Sequence, residues 1–589
     1  MKLFRPKSPK LVLLIEYFAL ALLGVLYFYC LPVTVQGGDT GEMATNPYYF
    51  RLTHPPGFPV YFWIQRLFTH AFPFFSLFKR SAFFSLLTAL VCFHGLFKNS
   101  RPKDFLQIGL TILVVFGFAT THLVWKFSVL PEVFLPLLAL SSFTVYYCLE
   151  KQFFAATVCW VLALGVHPIA LFLAPLWLSG FLKTKTWKGL LAVTLGVTTC
   201  YLSLLLIRGT GLYAWTNITS SGEFLRYVLR SDYGTMKLSP EASGFFFFDN
   251  LYFFCHRSAL FLFPVAITLA LAGKSIWRNN RILLLTLAIY LFIFFSLANM
   301  SQQFLAGETV ARFHLLPLLL AAILAIRALP EIIEKKRKVL LLVVYAVTAL
   351  CQVVLFFPEN NFSQRHVVQE YAENLLRGFH ENKECSLLFT KSDAAFVALN
   401  YVQSNLGLAP QVKVIANGFL GLESYRQMLS KEGIKFSGAD GVPEIISEDI
   451  LKPNLPRCEI ISEYYDNTTD LQVTVLPLGR AISLGNGLHW SHDPVFRPHY
   501  EPQPTLFYDI EKRMYARYAD FYLAQSIFAI NRNQLAVAKS ALLQALQVVP
   551  DCKFAWIQLC NLERAEGISQ PVSCEQSLKS EPYCDPSRP

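Results

Sequence analysis

The chain has 589 residues, 54% of them hydrophobic and only 15% charged, with a formal net charge of +11 and a mean hydropathy of +0.41. Soluble globular chains carry roughly a quarter charged residues, so a large soluble enzyme is excluded, and 52 Phe among 15% aromatic residues exclude a disordered scaffold. Nor does the positive charge mark a nucleic-acid binder. It lies in short clusters beside apolar runs (Lys2, Arg5, Lys7 and Lys10; Lys98, Arg101 and Lys103; Lys183, Lys185 and Lys188; Lys274, Arg278 and Arg281; Lys335 to Lys338), which is the pattern of positive-inside orientation signals.

A bilayer core of about 30 Å needs about 20 helical residues. Apolar stretches predict spans near 11–31, 78–97, 104–122, 129–149, 152–166, 168–182, 189–207, 245–272, 282–299, 313–329 and 339–357. The segments 152–166 and 168–182 are short and share a corner at His167 and Pro168, which reads as a shallow helical pair. With the N-terminus cytoplasmic, the basic clusters fall on every second loop, and about eleven crossings bring the C-terminus to the outer face, periplasm or ER lumen. No small-x-small site follows Cys30, so the first span reads as a retained anchor.

Three outer segments hold most of the polar residues. The first, 32–77, is long for a connection and carries Pro47, Pro55, Pro56 and Pro59 among aromatic stretches suited to interfacial amphipathic helices. The second, 208–243, carries Arg208, Arg226, Arg230, Asp232 and Tyr233. The third runs from Pro358 to the end and gives the domain division: 1–357 in the membrane, 358–510 an exported α/β domain, and 511–589 a helical region with a tail.

In the α/β part, apolar runs at Ser386–Thr390, Val412–Ala416 and Leu471–Leu478 alternate with helical patterns at 393–404 and 421–431, predicting a partly parallel sheet. Beyond 511, Tyr522, Ala538, Leu542, Ala545 and Pro550 follow a 34-residue helix-turn-helix spacing and Trp556 opens the next unit. That matches a tetratricopeptide repeat, with an ordinary helical hairpin as the alternative. Cys385, Cys458, Cys552, Cys560, Cys574 and Cys584 lie in this tail; an exported compartment permits disulfides among them, in pairings the sequence leaves open. Sequons at Asn217, Asn299, Asn361 and Asn467 are compatible with an ER location.

The most informative stretch is Gly37-Gly38-Asp39-Thr40-Gly41-Glu42, followed by His54-Pro55-Pro56-Gly57. If a helix begins at Asp39, its carboxylate and that of Glu42 lie near one end and face one pocket. The structural alternative is a capping-box start with Asp39 as N-cap and Glu42 third in the helix; the two are compatible. A carboxylate at a membrane surface suits sugar transfer from a polyprenyl phosphate. The phosphate is a good leaving group, so one base for the acceptor hydroxyl is enough, whereas glycosidases need two cooperating carboxyl groups. Positive charge must meet the departing phosphate, and His54, Arg208, Arg230 and Arg312 all fall at outer loops or span ends. Snorkelling to headgroups is the alternative for each Arg.

Gly38-Asp39-Thr40-Gly41-Glu42 with His54-Pro55-Pro56-Gly57-Phe58-Pro59 resembles the signature of the GT-C membrane glycosyltransferase family that includes the ER O-mannosyltransferase of plexin and receptor-kinase ectodomains and many bacterial relatives. The resemblance continues through Trp125 to Glu132-Val133-Phe134, at Gly165-Val166-His167-Pro168, at Leu229-Arg230-Ser231-Asp232-Tyr233-Gly234-Thr235, and at Val310-Ala311-Arg312-Phe313. It implies Asp39 as catalytic base with Glu42 beside it. It also implies His54 and Arg312 as ligands of the lipid phosphate, and Arg230 and Tyr233 as residues closing the site. Pro131 before Glu132, Phe134 in place of Tyr and Ala311 in place of an acid depart from the family pattern. Glu132 and His167 join the donor site as candidates; their structural alternatives are pairing with Lys126 and a satisfied corner histidine.

The expectation is an α-helical polytopic GT-C-like membrane protein with a C-terminal soluble α/β plus tetratricopeptide-like region. It is expected to be an inverting transferase of a mannose-type sugar from a polyprenyl-phosphate donor to a protein Ser/Thr or glycan hydroxyl. No metal or other cofactor is invoked, and its partners are donor, acceptor and membrane lipids. The expected place is a bacterial inner membrane with a periplasmic C-terminus, the alternative an ER membrane with a lumenal one. The rival function is a transporter or flippase of lipid-linked sugars, which needs the same basic cavity but no base.

Overall fold

Inside a bilayer every backbone amide must bond within its own segment, so so apolar a chain has to be largely helical. The computed structural model describes residues 9–102, 104–184, 187–209, 211–216, 218–235, 245–298, 309–379, 385–390, 393–436, 450, 453–454, 457–463, 466–468, 473–475, 480–484, 487–490 and 509–580. These divide into two units: Met1–Val33, Asn46–Arg208 and Ile218–Gln364 in the first, Thr34–Thr45, Gly209–Asn217 and Arg365–Pro589 in the second.

The first unit is helical, and the chain is a multi-pass integral membrane protein. Among the described residues six helices are long and apolar enough to cross a membrane: Lys10–Tyr29, Leu77–Lys98, Trp187–Leu206, Lys274–Leu297, Thr309–Glu331 and Lys335–Asn360. Two bent pairs raise the count to eight, Phe105–Ala119 with His122–Val129 at 72° and Phe247–Arg257 with Ala259–Ala272 at 89°. The predicted stretches at 129–149, 152–166 and 168–182 are also helical but shorter, as Phe134–Leu149, Phe153–Val166 and Pro168–Leu182. Length and composition thus give six to eight spans.

Burial separates the spans. Of the apolar window in Thr309–Glu331, 89% is covered by the rest of the protein, against 6% for Trp187–Leu206. The second helix is apolar on its sides and covered on almost none, which is stable only in lipid. Close packing relies on small residues: a Cβ on Gly95 would lie 2.1 Å from the Ser142 hydroxyl, so the helix Leu77–Lys98 meets Phe134–Leu149 backbone to side chain. Polar bonds are placed at the joints. At the 72° bend Thr120 Oγ1 donates to Gln352 Oε1 at 2.8 Å and the Tyr27 hydroxyl donates to the Ala119 carbonyl at 2.7 Å. Asp104 caps the helix after it, accepting from the Gln107 N–H at 2.8 Å, and receives Lys338 Nζ at 2.9 Å.

The second unit is built on a sheet of order β2-β1-β3-β6-β7. Strands β1 (Ser386–Thr390), β2 (Val412–Ala416) and β3 (Glu459–Ser462) are parallel, with Leu388 opposite Val414 and Ile461. β6 (Arg480–Leu484) and β7 (Gly487–Trp490) extend it antiparallel. The predicted strands 386–390 and 412–416 are present, and the helical patterns appear as Asp393–Leu406 and Glu423–Lys431. The run 471–478 differs: Val473–Val475 forms β5, paired with β4 (Asp466–Thr468) in a separate hairpin, and its other residues lie outside those described. The third parallel strand is β3, whose apolar pair Ile460 and Ile461 is flanked by Glu459 and Ser462, too short a run to read as a strand. A disulfide, Cys385–Cys458, joins the residues that precede β1 and β3.

Four helices follow: Asp509–Asn531, Leu535–Val548, Lys553–Ala565 and Val572–Lys579. Ala538, Leu542 and Ala545 are fully buried, the Trp556 indole N–H donates to the Pro550 carbonyl at 2.8 Å, and Cys560–Cys574 ties the last two helices. This region does not separate from the sheet at residue 510, because buried charge holds them together. Arg365 lies 3.1 Å from Glu511. Glu463, at the end of β3 and fully buried, lies 3.4 Å from Arg517 and accepts from the Tyr371 hydroxyl at 3.1 Å. Burial works against the Arg517 charge, but Glu463, Tyr371 and Asp520 overcome it and raise its pKa.

Two segments that the sequence assigned to the membrane part belong to this second unit. Thr34 Oγ1 and Gln36 Nε2 donate to the Arg365 carbonyl at 2.5 and 3.0 Å, and the Val35 N–H donates to Gln369 Oε1 at 3.2 Å. Tyr213 bonds Gln403, and the Trp215 ring lies 4.5 Å from that of Phe419. Removing one member of a buried ion pair costs about 3–5 kcal/mol. Glu463→Ala is therefore expected to lower the unfolding temperature of the purified protein strongly, read by tryptophan fluorescence, while Lys579→Ala in an exposed pair leaves it in place.

Candidate active site

Candidate residues fall into one group in each unit. In the first, residues 54–58 form a tight turn. The His54 carbonyl accepts from the Gly57 N–H at 3.0 Å, and the Pro55–Pro56 peptide bond is cis. Gly57 is needed twice over. Its φ is +88°, and a Cβ there would lie 2.7 Å from the Tyr227 hydroxyl, which donates to the Thr53 carbonyl. Phe58 follows at φ 45°, ψ 57°, a left-handed conformation that costs a bulky residue about 1–3 kcal/mol. Pro59 then opens the helix Pro59–Ala71. The strained ring is 3% exposed, stacked on His167 at 5.5 Å and 16° and edge-on to His54 at 5.1 Å.

His167 sits at the predicted corner, between the helix Phe153–Val166 and the 3-10 turn Pro168–Leu173. Its Nδ1 accepts from the Ile169 N–H at 3.1 Å, so the neutral ring carries its proton on Nε2 as a donor. The rings of Phe134 and Phe313 lie 5.3 and 5.8 Å away. Desolvation, then the positive charges of Arg230, Arg312 and His54, hold its pKa well below the usual histidine range. Cationic groups from three separate segments therefore act on one imidazole. The corner role and the binding role of His167 coexist, one on each nitrogen.

Phe134 and Phe313 adjoin the charged members. Glu132 is 4% exposed, and its Oε1 lies 3.8 Å from Arg312 Nη1. Arg312 Nε donates to the Thr309 carbonyl at 3.1 Å, and the buried Tyr61 lies in the field of Glu132. Arg230 is also left-handed, at φ 53°; its N–H donates to the Tyr227 carbonyl and its own carbonyl accepts from the Thr235 N–H, both at 3.1 Å. The 3-10 turn Ser231–Tyr233 comes next, with Asp232 held by Arg226 at 2.7 Å. Tyr233 lies in that turn; its side chain is outside those described. Arg208 is exposed.

The second group is Asp39 and Glu42. The helix Thr40–Tyr48 places Asp39 at the predicted N-cap position, its carbonyl accepting from the Met43 N–H at 2.9 Å, and Glu42 third in the helix. Glu42 is 7% exposed and Asp39 partly so. Both carboxylates sit at the positive end of the helix dipole. Gly38 makes the turn at φ +72°, and Gly41 permits close approach: a Cβ there would lie 2.8 Å from both Val397 Cγ1 and the Val397 carbonyl.

The first group offers two guanidinium groups and an imidazole N–H among aromatic walls, a set suited to a phosphate. The second offers carboxylates able to accept a proton. Among the described residues no cluster of three or more His, Cys, Asp and Glu side chains is placed to hold a metal ion. Sequence reasoning did not single out Tyr227, and it gave Phe58 only as a member of the His54–Pro59 motif without a role; the signal was a Phe locked between Gly57 and Pro59.

No family model matches the chain. It is distantly homologous to protein O-mannosyl-transferase TMEM260 of Mus musculus, 24% identical over 459 residues, covering 69% of this chain and 63% of the relative. The Dictyostelium discoideum counterpart is 22% identical over 314 residues, covering 45% and 38%. The chain thus spans less than two thirds of the length of these curated relatives. Among solved structures it is similar to ArnT from Cupriavidus metallidurans in the apo state (12% identity, TM-score 0.46, covering 72% of this chain and 89% of that one). The same protein bound to undecaprenyl phosphate gives 11%, 0.42, 71% and 88%.

The tight contact of Gly41 with Val397 generates a stability test. Gly41→Val overpacks it and is expected to destabilise the protein by about 1–3 kcal/mol, seen as a lower unfolding temperature. Gly109→Ala, where the nearest atom stands at 3.7 Å, leaves the transition unmoved.

Proposed function

We propose that the protein is an inverting GT-C-type glycosyltransferase that moves a mannose-type sugar from a polyprenyl-phosphate donor to a protein Ser/Thr or glycan hydroxyl on the outer face of its membrane. The observation that carries this reading is the gathering of His54, Arg230 and Arg312 about His167, with Glu132 as counter-charge to Arg312, in a unit made of apolar helices. The distant homology to O-mannosyl-transferases supports the reaction class.

In this mechanism Asp39 takes the proton of the acceptor hydroxyl as its oxygen attacks the anomeric carbon. The bond from that carbon to the phosphate oxygen breaks, and the electron pair leaves with the phosphate. Arg230 and Arg312 balance the charge that develops there, and the His167 Nε2–H and His54 add hydrogen bonds to the same oxygens. Tyr233 closes the donor site, and Glu42 lines the pocket beside Asp39. The leaving group is already a stable anion, so no general acid is required. Disulfides in the second unit support placing it in an oxidising compartment, bacterial periplasm or ER lumen.

The test uses purified protein in lipid, radiolabelled polyprenyl-phosphate mannose and a pool of hydroxyl acceptors. Label is expected to appear in an acceptor, and Asp39→Asn to abolish transfer while the protein keeps its unfolding temperature; transfer retained in this variant removes Asp39 from the base role. Saturable donor binding with no transfer to any acceptor would instead identify a carrier of lipid-linked sugar. Arg312→Gln forfeits hydrogen bonds to a charged group, worth about 1.5–3 kcal/mol, so donor KM is expected to rise by roughly 10- to 100-fold in the same assay.

A further inference from the structure

One end of the helix Leu77–Lys98 carries a cationic surface that ion pairing does not explain. Between Glu42 and Asp104 the chain has no Asp or Glu, yet Arg66, Lys79 and Arg80 fall in that interval, and among the described residues no carboxylate pairs with any of the three. Lys79 and Arg80 stand in the first turn of the helix, where its dipole is already positive. Its far end, at Lys98, holds one of the basic clusters that orientation signals account for. The near end has no such account.

The three cations are held in place without being neutralised. Arg80 Nη1 donates to the Thr69 carbonyl at 2.6 Å, and its guanidinium lies over the Tyr48 ring at 5.4 Å. Arg66 Nη1 donates to the Pro47 carbonyl at 2.9 Å, and its guanidinium lies over Phe50 at 4.8 Å. Lys79 Nζ lies 5.1 Å from the centre of the Phe75 ring and 5.4 Å from that of Phe28. Those two rings and Phe83 pack on one another within 6.3 Å; Phe83 lies 6.2 Å from Phe68, which stacks on Phe72 at 4.7 Å. The cluster opens outward: Phe72 is 45% exposed, Phe74 81% and Leu67 71%. Phe28 ends the span Lys10–Tyr29 and Lys79 begins the span Leu77–Lys98, so rings and cations lie where two spans reach one membrane surface.

Aromatic rings and long cationic side chains are what settles at headgroup depth. An apolar shelf flanked there by cations without acids is complementary to a lipid of negative charge. We propose that this corner binds one anionic phospholipid, with Arg66, Lys79 and Arg80 meeting its headgroup and an acyl chain lying along Leu67, Phe72 and Phe74. Arg66 and His70 stand about 10 and 16 Å along the helix Pro59–Ala71 from its first residue, so the headgroup has a place apart from the His54 turn. Nothing in this site depends on sugar transfer.

The test is native mass spectrometry of the purified protein, titrated in detergent with phosphatidylglycerol or with phosphatidylcholine of the same acyl chains. Phosphatidylglycerol is expected to bind at least about tenfold more tightly, and the preference to shrink at high salt. Lys79→Gln is expected to weaken its binding about fivefold, the loss of one cation beside an anionic lipid. Lys98→Gln removes the same charge at the other end of the helix and leaves the affinity in place. Equal affinity for the two lipids in the unmodified protein overturns the proposal, whether or not the variants fold. So does a preference that Lys79→Gln and Arg66→Gln both leave intact, or a loss that Lys98→Gln matches. Glycerol phosphate carries the anion without the chains and should not displace the lipid at the same concentration; displacement would make this a site for soluble phosphate, and the lipid proposal falls.

Discussion

A guanidinium fixed in the first turn of the most deeply covered span is the constraint around which the first unit is arranged. Arg312 lies at the N-terminal end of Thr309–Glu331, where the helix dipole is already positive and a cation is disfavoured. Its guanidinium is held by the Thr309 carbonyl at 3.1 Å. Glu132 answers part of that charge; Arg230 and His54 add more of the same sign. Several cationic side chains are thus gathered among aromatic rings around one imidazole.

The aromatic residues around these charges set their strength. Phe58, Phe134 and Phe313 pack around His167, and a partly apolar surround lowers the local dielectric, so the same charges act more strongly than they would in open water. Phe58 reaches its place only through a left-handed backbone. Pro59 on one side and the Gly57–Tyr227 contact on the other hold that conformation. Sequence, strain and electrostatics thus meet in five residues of one turn, and the histidine they position keeps a fixed tautomer.

Much of this was legible from residue patterns. The ordered motifs gave His54, Glu132, His167, Arg230 and Arg312, which the structure brings together, and apolar runs located the helices and the strands at 386–390 and 412–416. What stayed hidden was hidden for physical reasons. The 14-residue helix Phe153–Val166 spans about 21 Å at 1.5 Å per residue, so a length rule cannot say whether it crosses. β3 has a two-residue apolar core and is recruited by pairing with β1, not by its own propensity. Tyr227 and Phe58 matter through a single long-range contact, and no periodicity encodes that. The bonds of 34–36 to residues 365 and 369 were not legible, because a chain-order division gives each segment to its nearest neighbours.

That last feature constrains how the molecule is made. The Thr34 hydroxyl waits for a carbonyl 331 residues later, and ribosomes add roughly 5–20 residues per second. The segment bearing Asp39 and Glu42 therefore spends roughly 15 to 70 s after its synthesis without the surface it packs on, while several hydrophobic helices are inserted. The segment is translated early and bonds to residues made after the last helix of the first unit. A newly made chain therefore lays down its first unit's helices before this segment has the backbone it bonds to.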